Sequence, residues 1–174
     1  MPHINFEFKA RTNNLSGLEN KLIELNAQFI GEDQQTDTYF NVEKGRLKLR
    51  EGNIENSLIY YERQNVAGAK QSDVILFKYN ADQSLKDILM KVHGIKVIVS
   101  KTRKIYFIDN VKFHFDTIKS LGTFVEVEAI DKIGHIGIEK LKEQCHKYQD
   151  LFGIANSDFV SLSYSDLILN SEIK

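Results

Sequence analysis

The fold of this chain is decided by two runs of alternating residues, Phe113-His114-Phe115-Asp116 and Phe124-Val125-Glu126-Val127-Glu128. In each run, apolar residues occupy one set of alternate positions and polar residues the other. This period of two is typical of a β-strand that buries one face. On the polar face, Glu126 and Glu128 point the same way and lie roughly 7 Å apart along the strand. Such a pair either faces solvent or holds a hard cation such as Mg²⁺ or Mn²⁺.

The composition is that of an ordinary globular protein. A chain of 174 residues predicts one domain, 1–174, with a sizeable core. Its 23 Lys and Arg nearly balance 24 Asp and Glu, so the net charge favours neither a nucleic-acid nor a membrane partner. The single cysteine, Cys145, cannot form an internal disulfide, and no leader or membrane span is evident. A cytoplasmic location is therefore expected.

Taken together, the chain predicts about eight strands and three helices. Further strands are expected at residues 4–11, 36–42, 45–51, 57–64, 73–80, 95–99 and 105–108. Helices are expected at about 16–27, 84–93 and 137–152, and the apolar tail 161–168 is expected to be ordered. Residues 29–33 are interpreted as a return segment, and 66–72 as a flexible loop.

Short turns between strands favour antiparallel pairing. Two architectures fit the pattern. An open sheet would expose its charged face to water, with helices under the apolar face. A closed antiparallel barrel would instead turn the charged residues inward and form a channel. The pattern alone does not choose between them.

The charged faces favour the channel because bases outnumber acids on them. The bases in phase are Lys9, Arg11, Arg46, Lys48, Arg50, Arg63, Lys78, Lys101 and Arg103, and the acids are Glu7, Asp116, Glu126 and Glu128. Arginine and lysine bind phosphate oxygens, and carboxylates hold a divalent ion between them. This combination predicts a polyphosphate site with a metal, suited to phosphoryl or nucleotidyl transfer.

Several short motifs, taken in order, resemble the CYTH superfamily, the triphosphate tunnel metalloenzymes. Asn5-Phe6-Glu7-Phe8-Lys9 resembles the family's N-terminal E-x-E-x-K signature, and residues 45–51 resemble its basic strand. The other similar motifs are Lys101-x-Arg103, His114-Phe115-Asp116, Leu121-Gly122-x-Phe124-Val125-Glu126-Val127-Glu128 and Ser163-Tyr164-Ser165-Asp166-Leu167. The resemblance extends over residues 4–168 and is strongest to the branch of class IV adenylyl cyclases.

This resemblance implies an α+β fold, a closed eight-stranded antiparallel β-barrel with flanking helices. Its tunnel would hold a triphosphate together with Mg²⁺ or Mn²⁺. Carried over by position, the metal ligands would be Glu7, Asp116, Glu126 and Glu128. The cationic catalytic residues would be Lys48, Arg50, Lys101 and Arg103. The triphosphate would also contact Lys9, Arg11, Arg46, Arg63 and Lys78, and Tyr164 would close one mouth of the tunnel.

Two positions modify this expectation. Asn5 stands where the signature has its first Glu, which removes one negative charge and predicts weaker binding of one metal. His114 is in phase with Asp116 and is interpreted as a hydrogen-bonded structural histidine in preference to a catalytic acid–base.

Three functions are compatible with these motifs. The first is a class IV-type adenylyl cyclase that converts ATP into cyclic AMP and pyrophosphate. The second is a triphosphatase acting on inorganic triphosphate, thiamine triphosphate or a nucleoside triphosphate. The third is a non-catalytic module that binds polyphosphate or nucleotide. The expected partner is a small-molecule triphosphate, without nucleic acid or membrane, and a homodimer is left open.

Overall fold

The computed structural model describes residues 2–80 and 82–172, and in them eight strands and four α-helices. Residues 1, 81, 173 and 174 of the predicted domain lie outside the described residues. The strands are β1 (Pro2–Arg11), β2 (Gln28–Phe40), β3 (Arg46–Glu51), β4 (Ser57–Arg63), β5 (Lys70–Lys78), β6 (Ile95–Ile108), β7 (Val111–Ile118) and β8 (Gly122–Asp131). The helices are α1 (Leu15–Glu24), α2 (Gln83–His93), α3 (Ile138–Phe152) and α4 (Tyr164–Glu172).

The strands form one closed antiparallel barrel in the order β1-β5-β4-β3-β2-β6-β7-β8, and β8 pairs back to β1. The predicted barrel is confirmed, and the open sheet is excluded. A tight turn at Asp109-Asn110 joins β6 to β7, and Asp109 adopts a positive φ of 51°, as the turns of two-residue hairpins require. Strands that follow one another in sequence do not always pair. β1, for example, pairs with β5 and β8 and not with β2.

The main apolar core lies outside the barrel wall. Phe8 of β1, Phe113 of β7 and Val127 of β8 face α1 and α3, where Leu22 and Tyr148 are buried against them. Burial of each such side chain contributes about 1.5–3 kcal/mol. The apolar half of the alternation is therefore satisfied by helices, and the polar half is left to line the interior.

Two helices have the caps that the sequence indicates. At the start of α2, Asp82 accepts a hydrogen bond from the Ser84 backbone N–H at 2.7 Å, and Gly94 follows the last turn with φ 70°. Gly153 adopts the left-handed conformation after α3. The first helix begins at Leu15, one residue earlier than expected, because Asn14 caps it, and it ends at Glu24, three residues earlier than expected.

Two predicted loops belong to strands. Residues 29–33 were expected to form a return segment, yet they are part of β2 and pair with β6. The alternating residues of β2 there are polar and buried (Asp33, Gln35 and Asp37), so the usual apolar signal of a strand is missing. Residues 70–72 of the predicted flexible loop form the first part of β5. The sequence did not reveal this part of the strand because Lys70 and Ser72 are buried polar residues.

The ordered tail forms α4, which packs at one end of the barrel. Tyr164 and its neighbour Leu167 join Val97, Val99 and Phe124 in a second apolar cluster. No helix in the described ranges is long and apolar enough to cross a membrane.

Candidate active site

The barrel encloses a cavity of about 890 Å³. Among the described residues, its lining contains nine lysines and arginines against four glutamates. The bases are Lys9, Lys48, Arg50, Arg63, Lys78, Lys101, Arg103, Lys112 and Lys132, and the acids are Glu7, Glu55, Glu126 and Glu128. The interior therefore attracts anions, although the whole chain is almost neutral.

One wall of the cavity is organised by Asp37 of β2. Its carboxylate accepts hydrogen bonds from Lys48 Nζ at 3.0 Å, from Arg50 at 2.8 and 2.9 Å, and from Lys101 Nζ at 2.7 Å. Burial alone would raise the pKa of Asp37, but the charges of Arg50, Lys101 and Lys48 hold it well below its usual value. Burial lowers the pKa of Lys101 to about 7 in spite of its Asp37 partner. Three predicted catalytic bases are thus brought to one carboxylate.

The fourth predicted base, Arg103, is oriented by Asp116. Its Nε and Nη2 atoms donate to the two Asp116 oxygens at 2.7 and 2.6 Å, and the Tyr164 hydroxyl donates to the same carboxylate at 2.7 Å. Asp116 is fully buried and does not line the cavity. Asp116 therefore lies behind Arg103, where it is placed to orient that base, and its role as a metal ligand stays a prediction.

The other three predicted metal ligands share the opposite wall. Strand register places Glu7 beside Glu128 and Lys9 beside Glu126. Lys9 Nζ lies 3.2 Å from Glu126, and Arg63 forms an ion pair with Glu7. Burial and the neighbouring charge of Glu7 raise the pKa of Glu128 to about 7. The site therefore resists holding all its carboxylates ionised unless a cation joins them.

His114 lies within this carboxylate group. Its Nδ1 atom is 3.3 Å from Glu126 Oε2 and 3.7 Å from Glu128 Oε1. Burial lowers the pKa of His114 to about 3, so the ring is neutral at neutral pH. The expected structural partner, Asp116, is paired with Arg103 instead.

These residues fit a divalent metal. His114, Glu126 and Glu128 each offer a ligand atom, and these atoms lie within 4.8 Å of one another. Two buried polar atoms of the cavity lining, Asn5 Oδ1 and His114 Nε2, have no hydrogen-bond partner in the described chain. Neutral imidazole and carboxylate oxygens are common metal donors.

The remaining predicted phosphate contacts divide between the cavity and its surroundings. Arg63 lines the cavity, and Lys78 lies exposed at its rim. Arg46 lines a neighbouring depression of about 660 Å³ and binds Asp166 at 2.8 Å. Arg11 is exposed and donates to the Leu121 carbonyl at 2.7 Å. Arg11 and Arg46 occupy alternate positions of their strands whose side chains point inward. Because each stands at the end of its strand, neither lines the main cavity.

Sequence reasoning missed several residues of the cavity and its walls. Asp37 was overlooked because its strand carried no recognised row of charges, although Asp33, Gln35 and Asp37 alternate on one face. Lys112 is in phase with His114 and forms an ion pair with Glu55, a residue of the β3–β4 loop on another wall. Glu55 also binds Arg50 at 3.1 Å. No local pattern reveals such a contact between distant segments.

The outer part of the cavity carries several apolar side chains among charged ones. It lies where β4 begins and β5 ends, and its lining includes Ile54, Ile59, Leu76, Phe107 and Ile130. Two amide side chains, Asn56 and Asn80, line the same region. The cavity therefore has an ionic inner part and a mixed outer part, where apolar side chains beside Lys78 can contact an uncharged organic group.

Comparison with known proteins places this geometry in a family context. The family model of the CYTH domain matches residues 3–161. No curated protein matches the sequence. The PH1012 protein of Pyrococcus horikoshii OT3 has a TM-score of 0.79 at 22% identity, covering 94% of this chain and 98% of that one.

Two further solved structures share the fold. A candidate adenylate cyclase from Vibrio parahaemolyticus has a TM-score of 0.78 at 15% identity and covers 95% of this chain and 97% of its own. HpAC1 from Hippeastrum, for which a dominant triphosphatase activity is described, has a TM-score of 0.61 at 13% identity, with 99% and 96% covered. At these identities the likeness is one of fold.

Proposed function

The chain belongs to the CYTH domain family, and on that premise we propose that it is a divalent-metal-dependent enzyme acting on the triphosphate of a small organic molecule. The observation that carries the proposal is the two-part cavity, whose ionic interior continues into a mouth with several apolar side chains. An ionic interior alone would suit inorganic triphosphate. The mouth adds a place for the organic part of a substrate such as ATP.

The basic residues would bind the phosphate chain. Lys48, Arg50 and Lys101 converge on Asp37 from neighbouring strands, and Arg103 faces the cavity with its Asp116 partner behind it. These cations are already positioned by buried carboxylates, so little reorganisation is needed when phosphate oxygens arrive. Lys9 and Arg63 provide positive charge on the opposite wall.

The carboxylate group would hold the ion. Glu7, Glu126 and Glu128 face the cavity, and the amide oxygen of Asn5 is available beside them. When bound, a divalent cation neutralises phosphate oxygens and so favours departure of a phosphate leaving group. Lys9 and Arg103 both contact Glu126 and keep it ionised, which maintains a ready anionic ligand.

The reaction we propose is cyclisation of ATP, in line with the similarity to class IV adenylyl cyclases. The ribose 3′-oxygen forms a bond to the α-phosphorus, the bond from that phosphorus to the bridging oxygen breaks, and pyrophosphate leaves. The hydroxyl proton is released. The chain would contribute the mouth for the base and the cationic walls for the phosphates.

Hydrolysis is the second candidate, favoured by the basic inner end of the cavity. Lys9 and Arg63 line the cavity there, and the charge of Lys70 acts on both from the neighbouring depression. Lys70 donates to the Ser161 carbonyl at 3.0 Å. A terminal phosphate would reach this end when the organic group occupies the mouth. Attack by water on the terminal phosphorus would then release orthophosphate and a diphosphate.

One experiment tests both candidates. The protein is incubated with ATP, inorganic triphosphate and thiamine triphosphate, each with Mg²⁺ or Mn²⁺, and cyclic AMP, pyrophosphate and orthophosphate are separated. Cyclic AMP with pyrophosphate supports cyclisation, and orthophosphate supports hydrolysis. Tight binding without turnover of any substrate would contradict the enzyme proposal and leave a binding module. Lys142→Gln, on the outer surface of α3, is the matched control and should keep wild-type turnover.

A further inference from the structure

We propose that a ring nitrogen of His114 is a metal ligand, so that the site is a mixed nitrogen–oxygen centre with a preference for Mn²⁺ over Mg²⁺. The inference rests on the proposed function for the presence of a divalent ion. It goes further by assigning a ligand outside the glutamate set and a consequence for the choice of metal.

The first support is position. His114 stands on β7 and is paired in register with Glu126 of β8, so both side chains point into the barrel. Its Nδ1 atom lies 3.3 Å from Glu126 and 3.7 Å from Glu128. These distances place the ring beside both carboxylates, and one ligand atom each of His114, Glu126 and Glu128 lies within 4.8 Å of the other two. Side-chain rotation can therefore bring the three residues to one ion.

The second support is an unsatisfied atom. His114 is 1% exposed, and within the described residues its Nε2 atom has no hydrogen-bond partner. Carboxylates only accept hydrogen bonds when ionised, so the ring proton of neutral His114 belongs on Nδ1, next to Glu126. Nε2 is then a buried lone pair without a donor. A cation satisfies such an atom, and pairing of the other ring nitrogen with a carboxylate is common in metal-bound histidines.

The third support is the composition of the whole donor group. Asn5 offers a neutral amide oxygen, and its Oδ1 atom also lacks a partner among the described residues. The site thus combines Glu7, Glu126 and Glu128 with neutral donors, one of them nitrogen. Mg²⁺ prefers oxygen donors and retains its water, whereas transition ions accept imidazole more readily. Replacing an oxygen donor by nitrogen therefore shifts selectivity towards Mn²⁺.

The test measures the bound ion directly and does not depend on turnover. Mn²⁺ binding is followed by the loss of the free-ion paramagnetic resonance signal, and Mg²⁺ is then added as a competitor. In wild-type protein we expect Mn²⁺ to bind at least about tenfold more tightly than Mg²⁺. Electron spin-echo modulation of the bound Mn²⁺ should show coupling to a ring ¹⁴N nucleus.

The variant His114→Gln keeps an oxygen donor but has no imidazole. It should lose the ¹⁴N coupling, and its Mn²⁺ to Mg²⁺ affinity ratio should fall to a few-fold or less. The matched control is His146→Gln, whose histidine is exposed on α3 and should leave both signals unchanged. If His114→Gln does not fold, the ¹⁴N coupling of the wild-type protein alone decides the question.

The outcomes separate this inference from the proposed function. Bound Mn²⁺ without ¹⁴N coupling overturns the ligand assignment, even if ATP is turned over. An unchanged affinity ratio in folded His114→Gln overturns it as well, and so does a wild-type protein that binds no Mn²⁺. Coupling to ¹⁴N together with no turnover of any triphosphate supports the ligand and contradicts the enzyme proposal alone.

Discussion

Asp37 holds together the most highly charged wall of the tunnel. It is 1% exposed and pairs with three bases, Lys48, Arg50 and Lys101. It is the carboxylate partner of Lys48 and Lys101, and Arg50 also pairs with Glu55. Removing one member of a buried ionic group costs about 3–5 kcal/mol because the other charges stay behind. We expect Asp37→Asn to lower the free energy of unfolding by about this amount in urea titrations.

A bound polyanion should compensate for part of that loss. Inorganic triphosphate is therefore expected to stabilise Asp37→Asn more than it stabilises the wild-type protein. The control is Asp87→Asn on the exposed face of α2, which should change stability by less than about 0.5 kcal/mol. Equal stability of Asp37→Asn and Asp87→Asn would contradict the role of Asp37.

Lys101 gives the tunnel a dependence on pH. Burial lowers the pKa of its ammonium group to about 7 in the free protein, and bound phosphate oxygens would raise it again. Above about pH 7, binding therefore takes up a proton at Lys101, and the affinity that this residue contributes falls as pH rises.

Calorimetric titration with inorganic triphosphate measures this effect. The affinity advantage of the wild-type protein over Lys101→Gln should shrink by about tenfold between about pH 7 and 8.5. Because other groups titrate equally in both proteins, the ratio isolates Lys101. A ratio that stays constant over this range would show that Lys101 keeps its proton throughout.

The C-terminal helix α4 closes the inner end of the barrel through Tyr164. The Tyr164 hydroxyl donates to buried Asp116, and its ring lies 3.7 Å from Lys9 Nζ and packs on Phe124. Tyr164→Phe leaves the ring but removes a hydrogen bond to a buried carboxylate, so we expect a loss of about 1.5–3 kcal/mol.

Thermal unfolding of matched variants checks this contribution. Tyr60→Phe removes a comparable hydroxyl that binds Glu62 at the outer surface, and it should cost less than about 0.5 kcal/mol. If the two variants unfolded at the same temperature, the hydrogen bond between α4 and Asp116 would contribute no more to stability than the surface hydrogen bond of Tyr60.

The strands show how far the sequence could predict this fold. β1, β7 and β8 pack their apolar faces against helices, and their alternation revealed both the strands and the inward carboxylates. β2 was only partly predicted, because its inward residues at 33–37 are polar and its outward ones are exposed. Barrel closure itself depends on pairing between β1 and β8, which are more than 100 residues apart in sequence. A local alternation of residues cannot predict such a pairing. The Glu55–Lys112 ion pair was missed for the same reason.

The molecule as a whole combines an ionic interior with a mouth that carries several apolar side chains. Phe107 lines that mouth, and a stacked organic ring would contact it. We expect Phe107→Ala to raise the KM for ATP by roughly tenfold, because one aromatic contact is worth about 1 kcal/mol or slightly more. The kinetics or binding of inorganic triphosphate, which has no organic group, should remain unchanged.

The control for this variant is Phe77→Ala, since Phe77 is 62% exposed on the outside of the barrel. It should alter neither substrate. If Phe107→Ala affected ATP and inorganic triphosphate equally, the mouth would not distinguish organic from inorganic substrates.

The central claim is that carboxylates inside the barrel support metal-dependent turnover of a triphosphate. The most direct test compares kcat/KM for ATP in the wild-type protein and in Glu126→Gln at the same Mn²⁺ concentration. Glu126 faces the cavity between Lys9, Arg103 and His114, and the amide keeps its size while removing its charge. We predict a loss of about 100-fold or more with the circular dichroism spectrum unchanged. Undiminished kcat/KM in a folded Glu126→Gln protein would contradict the account.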